Sequence, residues 1–310
     1  MTLKSDSGQA VSRFSFGTMQ FGGKADAKAS AEMYAAARGA GLNFFDTAYV
    51  YTGGESERIL GPLIAAERSD VVVATKAAYD QPSTPENLTA SLETSLSRMD
   101  TDYVDVLYLH RFDDTTPLEV TFDGLAALMA TGKARAIGVS NFAAWQVVKA
   151  DGLARERGIK IDIIQPMYNL VKRQAEVEIL PMCADQGVAC APYSPLGGGL
   201  LTGKYAAGNA GRLAEDKGYE KRYGPDWMHQ AASDLSTLAQ EVGVSPATLA
   251  VAWAAAHPAG PTPIVSARSA EQLQPSLAAI DYTLSPELYA QMAALTPTPP
   301  PATDRLEEQE

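Results

Sequence analysis

The chain alternates short runs rich in β-branched and aromatic residues with longer amphipathic segments along most of its 310 residues. Such alternation predicts a parallel sheet covered by helices. Eight strand-like runs, each followed by a helical segment, favour a closed single-domain (β/α)8 TIM barrel in the α/β class over an open sheet. No GxGxxG motif follows the first run, so a Rossmann unit is not indicated. The predicted strands are Ser15–Phe21, Leu42–Asp46, Val71–Lys76, Tyr103–His110, Ala134–Asn141, Ile161–Gln165, Val188–Tyr193 and Thr262–Ser266.

Capping residues mark the predicted helices. Thr84 before Pro85 is typical of a helix start, and Thr116 with Glu119 forms a predicted capping box. A second capping box is expected between Ser269 and Gln272, and an extra C-terminal helix over 285–295. A long loop is expected over 194–227.

Three regions follow from these patterns. Residues 1–12 form a polar N-terminal segment, and residues 13–295 form the barrel domain. Residues 296–310 are rich in proline and then acidic, a composition typical of a disordered tail.

Composition narrows the functional classes. The formal net charge of -12 disfavours nucleic acid and anionic membranes as partners, because both attract a basic surface. No apolar run approaches the ~20 residues that span a membrane, and residues 1–13 lack an apolar signal core, so we expect a cytoplasmic protein. The 2 cysteines and 3 histidines are too scattered for a zinc or redox motif, and no metal site is expected.

Polar side chains stand where seven successive strand-like runs end. In a parallel barrel the carboxyl ends of all strands open onto one face, where the active site lies. The sequence therefore predicts an active site at this face, built from Asp46, Lys76, His110, Ser140 with Asn141, Gln165, Tyr193 with Ser194, and Ser266.

Four residues of this region suit acid–base chemistry at a carbonyl group. A tyrosine such as Tyr51, with a pKa of about 10, donates a proton near neutral pH only when a cation stabilises its phenolate. Lys76 is the candidate cation, and Asp46 would keep it charged and oriented. His110 would bind the substrate oxygen or assist Tyr51. No Ser–His–Asp or Cys–His arrangement competes with this hypothesis.

These residues and their flanking motifs resemble the aldo-keto reductase superfamily from Gly17 to Leu277. The resemblance implies an NAD(P)H-dependent oxidoreductase that reduces an aldehyde or ketone to the alcohol. It also implies a catalytic tetrad of Asp46, Tyr51, Lys76 and His110, with Tyr51 as proton donor. The matching motifs are Asp46-Thr47-Ala48, Gly54-Glu55-Ser56-Glu57, Thr75-Lys76, Leu109-His110, Gly138-Val139-Ser140-Asn141-Phe142, Gln165-Pro166-Met167-Tyr168-Asn169 and the run from Tyr193 to Lys204.

The resemblance further implies which residues bind the nicotinamide cofactor. Side chains of the fifth and sixth strands would hold the carboxamide, and the aromatic residue ending the seventh would stack on the nicotinamide ring. The first strand would approach the ribose, the glycine-rich run the pyrophosphate, and the segment after the eighth strand the adenosine. The implied residues are Gly17, Thr18, Met19, Asp46, Ser140, Asn141, Gln165, Tyr193, Ser194, Pro195, Leu196, Gly198, Lys204, Ser266, Arg268, Gln272 and Ser276.

NADPH is the expected cofactor, with NADH as the alternative. A helix N-terminus suits a phosphate, and Arg268 would pair with a 2′-phosphate. Pro275-Ser276 stands where the family often has Glu-Asn, which removes an adenine contact and weakens this preference. Thr52 follows Tyr51 where Gly is frequent, and we expect it to narrow the mouth of the pocket.

Two alternatives to a carbonyl reductase remain open. One is an NAD-linked dehydrogenase of sugars or alcohols. The other is a cofactor-binding regulatory subunit of a membrane channel, since the glycine-rich loop resembles that of channel-associated β subunits. A small-molecule carbonyl or alcohol is the expected partner, with pocket candidates at Met19, Tyr49, Phe112 and residues 223–227, while Arg111 is expected to face solvent.

Overall fold

Eight parallel strands form one curled sheet in the computed structural model, which describes residues 3–204, 216–305 and 307. The strand order is β7-β6-β5-β4-β3-β2-β1-β8. Two backbone hydrogen bonds join the ends of this order, from the Thr262 N–H to the Cys190 carbonyl (2.8 Å) and from the Ile264 N–H to the Pro192 carbonyl (2.9 Å). The architecture is consistent with a (β/α)8 barrel. The strands are β1 Ser15–Gly17, β2 Phe44–Asp46, β3 Val72–Ala77, β4 Val104–Leu109, β5 Ala134–Ser140, β6 Ile161–Gln165, β7 Ala189–Cys190 and β8 Ile264–Val265.

Helices cover the outside of the sheet. Several begin at side-chain caps, as at Thr84, which accepts a hydrogen bond from the Asn87 N–H, and at Ser285, which accepts one from the Leu288 N–H. The helices are α1 Ala27–Gly39, α2 Glu55–Ile64, α3 Pro85–Met99, α4 Leu118–Ala130, α5 Ala144–Glu156, α6 Ile179–Gln186, α7 Lys217–Tyr223, α8 Asp226–Val242, α9 Pro246–Ala255, α10 Ala270–Ala278 and α11 Pro286–Ala293.

The alternation of side chains along the strands sets the position of the polar residues. A small apolar cluster fills the interior of the sheet, and a larger one lies between sheet and helices. Because side chains on a strand alternate between faces, the residue two positions after an interior apolar residue also points inward. Asp46, two residues after Phe44, therefore points inward, and so does Lys76, two residues after Ala74. The same alternation turns other side chains at the carboxyl ends of the strands inward. The interior cluster comprises Phe44, Val72, Ala74, Val106, Tyr108, Ala136, Ile163, Ala191 and Ile264.

The polar N-terminal segment packs against the amino end of the barrel. Leu3 and Val11 contact the interior apolar cluster, and Lys4 pairs with Ala10 in an antiparallel bridge. The Asn43 side chain, just before β2, accepts a hydrogen bond of 2.7 Å from the Ser12 N–H. This segment thus covers the end of the barrel opposite the polar strand ends.

Three local predictions were wrong. Thr116 does not cap α4, because Pro117 itself takes the extended cap conformation and the helix begins one residue later. The Ser269–Gln272 box is only half present, since the Gln272 side chain accepts from the Arg268 N–H at 3.3 Å. The expected loop over 194–227 contains a 3-10 helix, Gly197–Thr202, and α7; its residues 205–215 lie outside the described residues.

No helix in the described ranges combines the length and apolar character needed to cross a membrane.

Candidate active site

A buried lysine joins three partners at the carboxyl ends of β2 and β3. Lys76 Nζ donates hydrogen bonds to Asp46 Oδ1 (2.5 Å), to the Thr47 carbonyl (2.7 Å) and to Tyr51 Oη (3.1 Å). These acceptors use all three hydrogens of the ammonium group. The Lys76 side chain is 0% exposed, so the charge is held in one place by its partners.

The carboxylate of Asp46 is fixed on its other side by Gln165. The Gln165 side-chain amide donates to Asp46 Oδ2 at 2.8 Å, across the barrel from β6 to β2. Both carboxylate oxygens therefore have a donor, and the Asp46 side chain is only 4% exposed. This explains how two charged groups are accommodated in the interior of the sheet.

The charges of this cluster favour a protonated tyrosine beside a charged lysine. Burial raises the pKa of Tyr51, and the neighbouring Lys76 charge opposes that rise only in part. Burial alone would lower the pKa of Lys76, but the Asp46 carboxylate and Tyr51 outweigh it, so this pKa is raised. Near neutral pH, Tyr51 thus carries its proton and Lys76 its positive charge.

His110 is a neutral imidazole next to Tyr51. Its ring lies edge-on to the Tyr51 ring, with 5.9 Å between the centroids. Burial, followed by the charges of Lys76 and Arg111, lowers the pKa of His110 to about 3. His110 Nδ1 is buried and has no hydrogen-bond partner in the part of the chain that the structure describes. A neutral imidazole can donate one hydrogen bond and accept another, which suits contact with a substrate oxygen.

The loop that carries Tyr51 is held from behind by Arg98 of α3. The Arg98 guanidinium donates to the Tyr49 carbonyl (2.7 Å) and to Glu57 Oε2 (2.9 Å). A Cβ atom at Gly54 would lie 2.4 Å from Arg98 Cζ, so a glycine is required there. The Glu57 side chain is fully buried, and it also accepts from Thr75, the neighbour of Lys76.

Thr52 does not narrow the mouth of the pocket, contrary to expectation. Its backbone lies in the left-handed region (φ 48°), and its hydroxyl donates to the Phe21 carbonyl at 2.8 Å. The same oxygen accepts from the Ser56 N–H at the start of α2. Thr52 thus supports the loop and is not among the residues that line the cleft.

A cleft of about 1050 Å³ extends from Tyr51 and His110 to Arg268 and Gln272. It brings together nearly all the predicted site residues at the carboxyl ends of the strands. Lys76 does not line the cleft itself; it is connected to the cleft by its hydrogen bond to Tyr51. Predicted residues that line the cleft are Gly17, Met19, Asp46, Tyr51, His110, Ser140, Asn141, Gln165, Tyr193, Ser194, Pro195, Leu196, Gly198, Lys204, Ser266, Arg268 and Gln272.

Thr18 and Ser276 are the predicted site residues whose side chains are buried away from the cleft. Thr18 is 0% exposed, and its hydroxyl lies 2.7 Å from Ser56 Oγ. Ser276 is also buried, while its neighbour Pro275 lines the cleft. Neighbouring residues of both segments line the cleft, but these two side chains face away from it.

A row of polar side chains lies on the cleft wall beside His110. Asn141 Nδ2 donates to the His110 carbonyl (3.0 Å) and to Ser140 Oγ (3.1 Å), and Tyr193 Oη donates to Asn141 Oδ1 (2.8 Å). Asn141 has a left-handed backbone (φ 58°), which turns its amide into this network. With Gln165, the wall presents both donors and acceptors, the set that a carboxamide group needs.

Helix α7 packs on the glycine-rich turn after β7. Gly198 has a positive φ of 66°, and a Cβ atom there would lie 2.7 Å from the Tyr219 ring. Tyr223 is fully buried, and it hydrogen-bonds to Asn169. Glycine in this turn therefore allows the helix to approach, in addition to leaving room for a ligand.

Sequence reasoning missed several residues that line the cleft. Tyr79 follows Ala78, whose left-handed backbone (φ 58°) has no sequence signal. Arg111, expected to face solvent, is exposed and also lines the cleft. Tyr49 and Phe112, expected near the pocket, do not line it. Others that were missed are Gln20, Val50, Tyr219, Arg222, Ser245, Ala247, Ile264, Val265 and Pro275. Gly199, Thr202 and Ala267 also line the cleft, within segments that the resemblance placed at the cofactor.

Groups of His, Cys, Asp or Glu that could hold a metal ion are absent from the described ranges.

Comparison with known proteins agrees with this architecture. The aldo/keto reductase family model matches residues 13–297. The chain is 36% identical to a probable voltage-gated potassium channel subunit beta of Oryza sativa subsp. japonica, covering 96% of this chain and 97% of the relative. It is 34% identical to an uncharacterized oxidoreductase of Bacillus subtilis, covering 94% of each chain. It is 33% identical to the L-glyceraldehyde 3-phosphate reductase of Escherichia coli, covering 78% of this chain and 75% of the relative.

The chain belongs to the aldo/keto reductase family. Its class is that of the NAD(P)H-dependent oxidoreductases, as the resemblance in the sequence implied.

Proposed function

We propose that the protein is an NADP(H)-dependent reductase that converts an aldehyde or ketone to the alcohol. The observation that carries this proposal is the hydrogen-bonded chain from Asp46 through Lys76 to Tyr51, which opens onto a cleft beside the neutral His110. The name of the Escherichia coli relative supports an aldehyde as the substrate class.

Tyr51 is the proposed proton donor. Its raised pKa keeps the phenol protonated until a carbonyl oxygen beside it gains negative charge. Lys76, fixed by Asp46, then stabilises the phenolate that forms when the proton leaves. His110 would donate a hydrogen bond to the same carbonyl oxygen and orient it toward Tyr51.

The lining of the cleft fits a nicotinamide dinucleotide. Bound there, the cofactor would supply the hydride that reduces the carbonyl carbon. Ser140, Asn141 and Gln165 would hold its carboxamide next to Tyr51, and Tyr193 would flank the nicotinamide ring. At the far end, Lys204 and the residues at the start of α10 would hold its phosphates.

The preference for NADP(H) is proposed from Arg268. This residue lines the far end of the cleft directly before Ser269, the N-cap of α10. A guanidinium there would pair with a 2′-phosphate, and the helix N-terminus would add a favourable dipole. The proposal predicts that Arg268→Gln weakens NADPH binding by about tenfold or more and leaves NADH binding nearly unchanged.

Titration of the purified protein with NADPH and NADH, followed by cofactor oxidation over a panel of carbonyl compounds, tests this proposal. Tighter NADPH binding together with carbonyl-dependent turnover is the expected result. Preference for NADH, with turnover only from NAD and an alcohol or sugar, would support the NAD-linked dehydrogenase in its place. Pro275-Ser276 keeps this second possibility open, because it departs from the pattern of the family.

A regulatory role is the second candidate function. It is favoured by the relative named as a probable potassium channel subunit beta, which matches nearly the whole chain. Tight cofactor binding with negligible turnover on every carbonyl compound, together with recovery of a channel protein in a pull-down, would support it over the reductase.

A further inference from the structure

The cleft is lined by positive charge in a protein that is acidic as a whole. The net charge of the chain is -12. Among the described residues that line the cleft, the one carboxylate side chain is that of Asp46, which is already paired with Lys76, whereas four cationic side chains line the same space. Such a concentration of positive charge attracts anions against the charge of the rest of the surface. The four cationic residues are Arg111, Lys204, Arg222 and Arg268.

Arg111 differs from the other three in its place along the sheet. Lys204, Arg222 and Arg268 belong to segments after β7 and β8, on the side where the proposed cofactor phosphates lie. Arg111 follows β4 directly, and β4 lies next to β3, which carries Lys76. Its charge is therefore available to a molecule held at Tyr51 and His110.

Tyr79 holds the Arg111 side chain near the reacting end of the cleft. The guanidinium carbon of Arg111 lies 5.6 Å from the centroid of the Tyr79 ring, within the range of a cation–π contact. The Tyr79 ring is in turn 4.7 Å from the His110 ring. The Tyr79 ring thus contacts both His110 and the guanidinium of Arg111.

The guanidinium of Arg111 makes no salt bridge with the carboxylates of the described residues. The nearby Asp113 instead accepts hydrogen bonds from Ser83 and Thr115. A guanidinium presents several donors in a planar fork that matches carboxylate and phosphate groups. An exposed arginine oriented in this way is suited to bind an anion.

We infer that the substrate is a short aldehyde or ketone with an anionic group, a phosphate or a carboxylate, which Arg111 binds while the carbonyl lies at Tyr51 and His110. This inference rests on the proposed reductase function. Arg111 thus determines specificity and takes no part in proton transfer. Tyr79 supports it by holding the guanidinium in place.

Kinetics with matched pairs of aldehydes test the inference. Glyceraldehyde 3-phosphate is compared with glyceraldehyde, and succinic semialdehyde with butyraldehyde, so that the phosphate and the carboxylate are examined separately. For the wild type, we expect at least one anionic aldehyde to have a kcat/KM about tenfold or more above that of its neutral counterpart. Arg111→Gln should raise the KM for that aldehyde about 10–100-fold and leave kcat nearly unchanged.

Two further variants separate local recognition from general electrostatics. Arg111→Lys keeps the charge and should restore part of the lost affinity. Lys28→Gln removes one positive charge from α1, where the side chain is 87% exposed and does not line the cleft, and should change neither KM. The loss of kcat/KM caused by Arg111→Gln should be much larger for the anionic aldehyde than for its neutral counterpart.

Equal kcat/KM values for anionic and neutral aldehydes in the wild type would overturn the inference while leaving the reductase function intact. Equal losses with both kinds of aldehyde in Arg111→Gln would also overturn it. Absence of turnover with every carbonyl compound would instead refute the reductase function, and the inference would fail with it.

Discussion

Two buried carboxylate–cation pairs lie at opposite ends of the same sheet, and their surroundings differ. Asp46 and Lys76 form a pair at the carboxyl ends of the strands, with 2.5 Å between the charged atoms. Asp105 and Arg68 form another at the amino ends, at 2.9 Å. All four residues lie largely out of contact with solvent, yet only the first pair opens onto a cleft.

The pair at the amino ends is enclosed by permanent partners. Arg68 also donates to the Val71 and Tyr103 carbonyls, and Asp105 accepts from the Val73 N–H. The Tyr103 ring lies near two guanidiniums, with Arg68 at 3.8 Å and Arg135 at 3.5 Å from its centroid. These contacts join the start of β3, β4 and β5, so this pair serves the fold.

The ion pair at the carboxyl ends contacts one group, the Tyr51 hydroxyl, that can lose its proton. Lys76 donates to Tyr51, a side chain on a loop that borders the cleft. The partners of Arg68 are backbone carbonyls, the Thr101 hydroxyl and a carboxylate. The comparison indicates that a buried ion pair becomes useful for chemistry when its cation contacts a titratable group that a ligand can reach. Burial alone does not distinguish the proposed catalytic ion pair from the structural one, because both pairs are buried.

The largest expected effect is the loss of activity on removal of the Lys76 charge. Lys76→Met should lower kcat for carbonyl reduction by about 10²–10⁴, because the buried phenolate of Tyr51 loses its stabilising cation. The measurement is steady-state kinetics at saturating cofactor. Circular dichroism confirms that the variant is folded, and a kcat within twofold of wild type would contradict the role of Lys76.

Removal of the charge at the other end should affect stability instead. Arg68→Met removes the nearer cation of the buried Asp105 carboxylate and leaves, among the described residues, only Arg135 at 3.8 Å, so we expect the free energy of unfolding to fall by up to about 3–5 kcal/mol. Denaturant unfolding measures this change. At a temperature where the variant remains folded, its kcat should match that of the wild type; a large loss of kcat there would abolish the distinction between the two ends.

A third expected effect, confined to acidic pH, is a pH dependence of stability caused by His110. Its pKa is about 3 in the folded protein and near 6.5 when exposed, so between these values the unfolded chain binds a proton that the folded chain does not. The free energy of unfolding should therefore decrease as the pH falls from about 6.5 toward 3.

A matched pair of histidine variants isolates this contribution. His110→Gln should make the decline between pH 6.5 and 3 less steep, because the residue no longer gains a proton on unfolding. His229→Gln, at an exposed position on α8, should leave the decline unchanged. Identical pH profiles for wild type and His110→Gln would contradict the assigned pKa.

The sequence placed the polar residues at the strand ends better than it placed the walls of the cleft. Each of the predicted strands concerned ends in a polar residue, and the carboxyl ends of parallel strands open onto one face, so Asp46, Lys76, His110 and Gln165 could be placed there before any tertiary contact was known. Helix α7 was missed because it depends on packing: its tyrosines lie against Gly197 and Gly198, far away in sequence. The run from Lys217 to Tyr223 contains a glycine, which disfavours a helix, and no local pattern in the run favours a helix strongly enough to compensate.

Residues that reach the site because of an unusual backbone conformation could not be predicted from the sequence either. Tyr79 reaches the His110 ring because Ala78 has a positive φ, which an alanine rarely adopts and no motif signals. Thr18 was assigned to the cofactor because the resemblance implied that the first strand approaches the ribose, but its hydroxyl bonds to Ser56 and to the Asp46 carbonyl. The sequence located the segment, and tertiary hydrogen bonds determined the direction of the side chain.

The central claim is that the hydroxyl group of Tyr51 delivers the proton. Tyr51→Phe removes one oxygen atom and keeps the ring, and the same change in Tyr103→Phe, at the amino ends of the strands, serves as its control. We predict that Tyr51→Phe lowers kcat by about 10²–10⁴ while NADPH binds as tightly as to wild type, and that Tyr103→Phe retains full kcat. Normal turnover in Tyr51→Phe would contradict the account.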